Sequence, residues 1–214
     1  MNPIKGSTAF VIGSGEDVPQ SLPLEIDGDT LVICADGGAA WARTWGLTPT
    51  IIMGDWDSLN EETRDYWQQQ RIPMERFPVA KDQTDLDLAV EYALEHGAKE
   101  IHLAGGWGSR IDHSLGNVGL LYRLAKAEIT NCLHTKGQRL SACKGNFEAK
   151  VRVGSTVSLL PLTSTVEEVN TQGLRYPLVD ATLTKGSTLS ISNEAISENI
   201  ALRFGEGILL IVFE

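Results

Sequence analysis

Four acidic motifs in the first half of the chain hold the residues whose types and spacing could do chemistry. They are Ala35-Asp36-Gly37-Gly38, Gly54-Asp55-Trp56-Asp57-Ser58, Lys81-Asp82-Gln83-Thr84-Asp85 and Gly108-Ser109-Arg110-Ile111-Asp112-His113. Carboxylates gathered at strand ends and helix starts are hard to keep ionised together unless a positive charge sits among them. A divalent cation carrying phosphate oxygens meets that demand, because Mg²⁺ takes a few carboxylates plus substrate phosphates. Together the motifs imply a metal-assisted nucleotide site.

Each motif alone also has a plainer explanation. Asp55 and Asp57 can aim at one cation from a loop, or serve as a helix N-cap and a solvated turn acid. The segment from Lys81 to Asp85 sets acids, a hydroxyl and a lysine at a helix start, where free backbone N–H groups attract phosphate. Capping by Thr84 or Asp85 accounts for it equally. In Gly105-Gly106-Trp107-Gly108-Ser109-Arg110, the glycines allow close backbone approach and Arg110 offers a bidentate grip on phosphate. No Gly-Lys-Ser/Thr ending follows, so this is not a P-loop. His113 is open to a capping or an acid–base role, and the Asp36 motif to a ribose or phosphate contact or a tight turn.

The elements that must position these residues alternate. Apolar runs at Thr8–Gly13, Thr30–Ala35, Thr50–Met53, Glu100–Ala104 and Ile129–His134 read as strands. Between them Ala39–Trp45, Leu59–Gln70, a helix opening near Thr84 and stopping at Gly97, and Asp112–Lys126 read as helices. Ser58 or Asn60 caps the second helix; Leu86, Ala89, Val90, Ala93 and Leu94 form a helical stripe in the third. Alternation predicts an α/β domain with a Rossmann-like, mostly parallel sheet, and ligands there sit beyond the carboxyl ends of the strands. From about Thr135 the pattern changes to short runs between Gly, Pro, Asn and Ser turns, including Thr156–Leu160, Thr182–Leu183, Leu189–Ser192, Ala201–Phe204 and Ile208–Phe213. A smaller all-β sandwich or barrel domain is expected, giving 1–136 as the α/β domain and 137–214 as the β domain.

The net charge of −10 argues against a nucleic-acid partner or an anionic membrane surface. Cys34, Cys132 and Cys143 show no Cys-x-x-Cys spacing, and Met1–Gly6 lacks the basic and apolar segments of a signal peptide. With no run near the ~18 apolar residues of a membrane span, a cytoplasmic location is expected.

The order ADGG, PTIIMGDWDSL, KDQTDLDLA and GGWGSRIDHSLGN resembles the thiamine pyrophosphokinase family, and VSLLPL, TQGLRYPL and SISN continue the likeness into the β region. The resemblance implies transfer of pyrophosphate from ATP to thiamine with Mg²⁺, giving thiamine diphosphate and AMP. It implies Asp55, Asp57 and Asp85 at the metal, Asp36, Gln83, Thr84 and Arg110 at ATP, and Asp85, Asp112 and Arg110 in catalysis. Ser190, Ser192, Asn193 and Tyr176 are implied at thiamine, in a homodimer whose partner chain completes each site. Trp56 stands where the family more often has Phe, and Trp107 where a smaller residue is usual. A different hydroxymethyl acceptor such as a pterin, a non-catalytic nucleotide- or thiamine-diphosphate-binding module, and a Mg²⁺-dependent phosphatase are the competing readings.

Overall fold

The computed structural model describes residues 7–78 and 82–214. Expectations resting on Met1–Gly6 and on Lys81 lie outside the described residues. The chain forms two compact units, one of residues up to 117 with 133–136, the other of 118–132 with 137–214.

The first unit is built from β1 (Thr8–Ile12), β2 (Leu31–Ala35), α1 (Gly38–Thr44), β3 (Ile51–Gly54), α2 (Glu61–Gln69), β4 (Met74–Arg76), α3 (Asp85–Glu95) and β5 (Glu100–Ala104). The helix α4 (Ile111–Lys126) and strand β6 (Thr130–His134) follow, and the division between the units falls within each of them. Strands β5-β1-β2-β3-β4 pair in that order, every pair parallel. All five residues of β2 and all four of β3 are buried, which is why both read as continuous apolar runs rather than alternating ones. β4 has no signal in the sequence, because the three residues Met-Glu-Arg are too short and too polar to show a period.

Helix starts follow their capping chemistry. Asn60 accepts from the Thr63 N–H at 2.8 Å and is the cap of α2, whereas Ser58 turns to Asp36. Thr84 caps α3 through the Asp87 N–H at 3.2 Å, with Asp85 and Asp87 in the first turn where the helix dipole favours negative charge. The indole N–H of Trp67 donates to the Ala39 carbonyl at 3.0 Å and fastens α2 to α1. Behind them Phe10, Ile12, Val32 and Ile52 form one face of the core, each worth about 1.5–3 kcal/mol when removed from water.

The second unit holds β7 (Arg139–Cys143), β8 (Asn146–Lys150), β9 (Thr156–Pro161), β10 (Thr165–Gln172), β11 (Ala181–Thr184), β12 (Asn193–Glu194), β13 (Asn199–Arg203) and β14 (Leu209–Phe213). Strands β12-β9-β14-β7 are paired antiparallel, and so are β11-β10-β13-β8 in a separate sheet. Val157, Leu159 and Ile211 of the first set share one apolar cluster with Val166, Leu183 and Leu202 of the second. β10 escapes a sequence reading because a bulge between Val166 and Val169 breaks its alternation. Leu189–Ser192, expected as a strand, is a turn in the structure. Ser190 is buried with Leu189 and Ile191 outward, Ile191 N–H bonds back to the Thr188 carbonyl, and Ser192 takes a left-handed φ of 60°.

Candidate active site

The site grows from the carboxyl ends of the parallel strands. Asp36 follows β2 and Asp55 follows β3, while the glycine turn from Gly105 follows β5. These ends surround a cavity of about 530 Å³ within the first unit. Its walls include Asp36, Asp55 and Asp57, then Gln83, Thr84 and Asp85 at the start of α3, then Trp107 and Arg110 of the glycine turn.

Asp36 is held by its backbone as much as by its neighbours. Its φ is 49°, in the left-handed region where Asp is tolerated better than bulkier residues, and its N–H bonds to the Met53 carbonyl at 2.8 Å. One carboxylate oxygen, Oδ2, accepts from the Ser58 N–H at 2.8 Å and from the Ser58 hydroxyl. The other, Oδ1, is buried without a hydrogen bond in a residue only 3% exposed. Asp55 Oδ1 accepts from the Asp57 N–H at 3.0 Å, which fixes the turn between the two acids.

One carboxylate oxygen from each of Asp36, Asp55 and Asp57 lies within 4.8 Å of the others. Crowding raises the pKa of Asp57 above the usual carboxylate value. Its hydrogen-bonding approach to the Asp36 carboxylate is the largest cause, followed by partial burial and by repulsion from Asp55 and Asp36. A cluster that resists full ionisation and leaves one oxygen orphaned suits a hard dication with oxygen ligands. Asp85 lines the same cavity from α3, and Asp36 takes the third place in the close cluster.

Arg110 and Asp112 are both exposed and pair with each other, Arg110 Nη2 lying 2.6 Å from Asp112 Oδ2. The Arg110 guanidinium holds the Asp112 carboxyl below the usual range, and Asp112 in turn raises Arg110. Arg110 and His113 line the cavity; Asp112 does not contribute to its wall.

The floor is backbone. Gly13 and Gly15 donate their N–H groups to the carbonyls of Ala104 and Gly105, both at 2.8 Å. A Cβ on Gly13 would stand 2.7 Å from the Gly105 carbonyl oxygen, and one on Gly105, at φ 65°, would overlap the Gly13 carbonyl. The glycine turn thus serves strand-to-strand contact as well as access to a ligand. The segment Gly13-Ser14-Gly15-Glu16, which carries none of the four acidic motifs, also lines the cavity. Its signal was a Gly-x-Gly directly after the apolar run of β1.

The remaining candidates lie in the second unit. The Ser190 hydroxyl donates to the Leu159 carbonyl at 2.6 Å and is 6% exposed. Asn193 brackets Tyr176, accepting from its N–H at 3.1 Å and donating to its carbonyl at 2.8 Å, while the Tyr176 residue is 66% exposed. Ser192 N–H donates to Ser158 Oγ at 2.9 Å.

Fold and site together define an α/β protein with an acid-lined cavity at the carboxyl ends of a parallel sheet, joined to an antiparallel β unit. Family descriptions match both parts: "Thiamin pyrophosphokinase, catalytic domain" over residues 22–133, and "Thiamin pyrophosphokinase, vitamin B1 binding domain" over residues 146–209. The chain belongs to the thiamin pyrophosphokinase family. It is 33% identical to the thiamine pyrophosphokinase of Bacillus subtilis, over 95% of this chain and 96% of the relative. A crystal structure of thiamine pyrophosphokinase from that organism superposes with a TM-score of 0.87 at 32% identity, covering 96% of this chain and 97% of the other. The thiamin pyrophosphokinase of Geobacillus thermodenitrificans superposes at 0.84 with 28% identity, covering 97% of each chain.

Proposed function

We propose that this chain is a thiamine pyrophosphokinase, moving the pyrophosphoryl group of ATP to the hydroxyl of thiamine to give thiamine diphosphate and AMP. The observation that carries the reading is the Asp36, Asp55 and Asp57 cluster lining one cavity with the start of α3, in a chain whose two parts both match the family. In the reaction the thiamine oxygen bonds to the β-phosphorus, the bond from that phosphorus to the AMP oxygen breaks, and the hydroxyl proton leaves to a base.

The donor set fits Mg²⁺, with Asp36, Asp55 and Asp57 as its nearest ligands and Asp85 facing the same space. Bound there, the ion would neutralise charge on the triphosphate. Gln83 and the α3 N-terminus offer polar contacts to phosphate, and Arg110 joins them by exchanging Asp112 for a phosphate oxygen. Asp85 lines the cavity and Asp112 does not, so Asp85 is the proton acceptor we favour.

Ser190, Ser192, Asn193 and Tyr176 form the thiamine side in this reading. Exposed Tyr176, Val179, Leu189 and Ile191 support a homodimer in which that surface is covered by a second copy. The apolar cluster shared by two antiparallel sheets supports a β-sandwich for the second unit.

Incubation with ATP, Mg²⁺ and thiamine, with separation of the products, tests the function. Thiamine diphosphate and AMP in equal amounts are expected. Release of free phosphate without an acceptor indicates a phosphatase, and turnover only with a pterin alcohol reassigns the acceptor.

A further inference from the structure

Outside the acid-lined cavity, β5 and β6 carry an arrangement that the transfer reaction does not use. His102 Nδ1 lies 2.8 Å from His134 Nε2, and His102 Nε2 lies 3.0 Å from Glu100 Oε1. The two rings are nearly parallel, with centroids 5.1 Å apart. Within β6, Cys132 precedes His134 by two residues and so shares its side of the strand. Its sulfur and a ring nitrogen of His134 lie within 4.8 Å. His134 is 4% exposed and Cys132 is 8% exposed.

We propose that His102 Nδ1 and His134 Nε2, with Cys132 Sγ, bind a borderline-soft dication, Zn²⁺ being the best match. A carboxylate can only accept, so Glu100 fixes the ring proton of His102 on Nε2 and leaves Nδ1 bare. A carboxylate behind a histidine is the usual means of orienting a metal-binding imidazole. The proton now between the two rings occupies the place of the ion. Zn–N bonds of about 2.0–2.1 Å in a tetrahedron set the two nitrogens roughly 3.3 Å apart, so the rings open by about half an ångström. On binding, the ring proton of His134 passes from Nε2 to Nδ1, so the imidazole stays neutral, and the thiol proton of Cys132 is released to solvent. Imidazole with thiolate selects Zn²⁺ over Mg²⁺, the reverse of the preference at the carboxylates. Three protein donors leave the fourth tetrahedral position to water, and the ion would join His102 of β5, which runs directly into the Gly105 turn, to His134 of β6.

The test uses the untagged full chain, stripped with chelator and then saturated with Mg²⁺ so that the carboxylate cluster is occupied. Zn²⁺ is titrated by calorimetry and Co²⁺ by visible absorption. One equivalent of Zn²⁺ is expected to bind, and Co²⁺ should show d–d bands with a thiolate charge-transfer band that Cys132→Ser removes. His102→Gln and His134→Gln should each weaken Zn²⁺ at least tenfold, while His96→Gln leaves it unchanged. Where either histidine variant fails to fold, Glu100→Gln replaces it, with an expected weakening of about tenfold or more. No binding by the wild-type chain, or equal affinity in these variants, overturns the site.

Discussion

Replacing Asp57 by Asn separates the two consequences of carboxylate crowding, a cost when no cation is present and a binding site when one is. The oxygens of Asp36, Asp55 and Asp57 lie within 4.8 Å of one another. At that spacing two unit charges repel by roughly 0.9 kcal/mol at the dielectric of water and roughly 3.5 kcal/mol at an effective dielectric of 20. Solvent reaches Asp57, so the lower figure governs, and two partners bring the relief to about 1–2 kcal/mol. For a chain of this size that raises the metal-free Tm by about 2–8 °C. The wild-type pH dependence follows from the raised Asp57 pKa. Between the unfolded value near 3.8 and the higher folded value the native state holds more protons, so metal-free stability falls as pH rises through that window and then levels. Asp57→Asn removes that fall. Mg²⁺ at about a hundred times its Kd adds about 2.7 kcal/mol to the wild type and should add far less to the variant. Calorimetric melts in EDTA and in Mg²⁺, with turnover measured alongside, read all three effects. A metal-free variant less stable than wild type, or one that Mg²⁺ stabilises equally, would falsify the assignment of Asp57 as a crowded ligand.

Gly105→Ala should destabilise by about 2 kcal/mol or more, since its Cβ meets the Gly13 carbonyl and its φ is 65°; urea unfolding measures this, and a loss under 1 kcal/mol contradicts the backbone contact. Arg110→Ala, in an exposed position, should leave Tm unchanged while raising the KM for ATP tenfold or more; an unchanged KM removes Arg110 from phosphate binding. Ser190→Ala should raise the thiamine KM more than the ATP KM. It should also cost about 1 kcal/mol through the lost bond to the Leu159 carbonyl, and equal changes in both KM values argue against a thiamine-side role.

The parallel sheet was legible because burial on both faces writes β1, β2 and β3 as unbroken apolar runs. The capping of α3 was legible for the same local reason, since Thr84 needs only its own next turn. β10 and the turn at Leu189–Ser192 were not, because a bulge in one and an inward Ser190 in the other invert the expected alternation. At the site, the aspartates could be picked out from their motifs, but not which three converge. That depends on the left-handed bend at Asp36 and on Ser58 folding back over it, contacts 22 residues apart that no local pattern encodes. The histidine pair bridges 32 residues and left no trace in spacing.

The backbone floor formed by Gly13, Gly15 and Gly105 also bears on how this protein can diversify. Any missense change in a glycine codon adds a Cβ, and at all three positions that atom would meet main-chain oxygen closer than real contacts allow. Room to change ligand preference by substitution therefore lies at the rim, at positions such as Gln83, Trp107 and Arg110, and not in the floor.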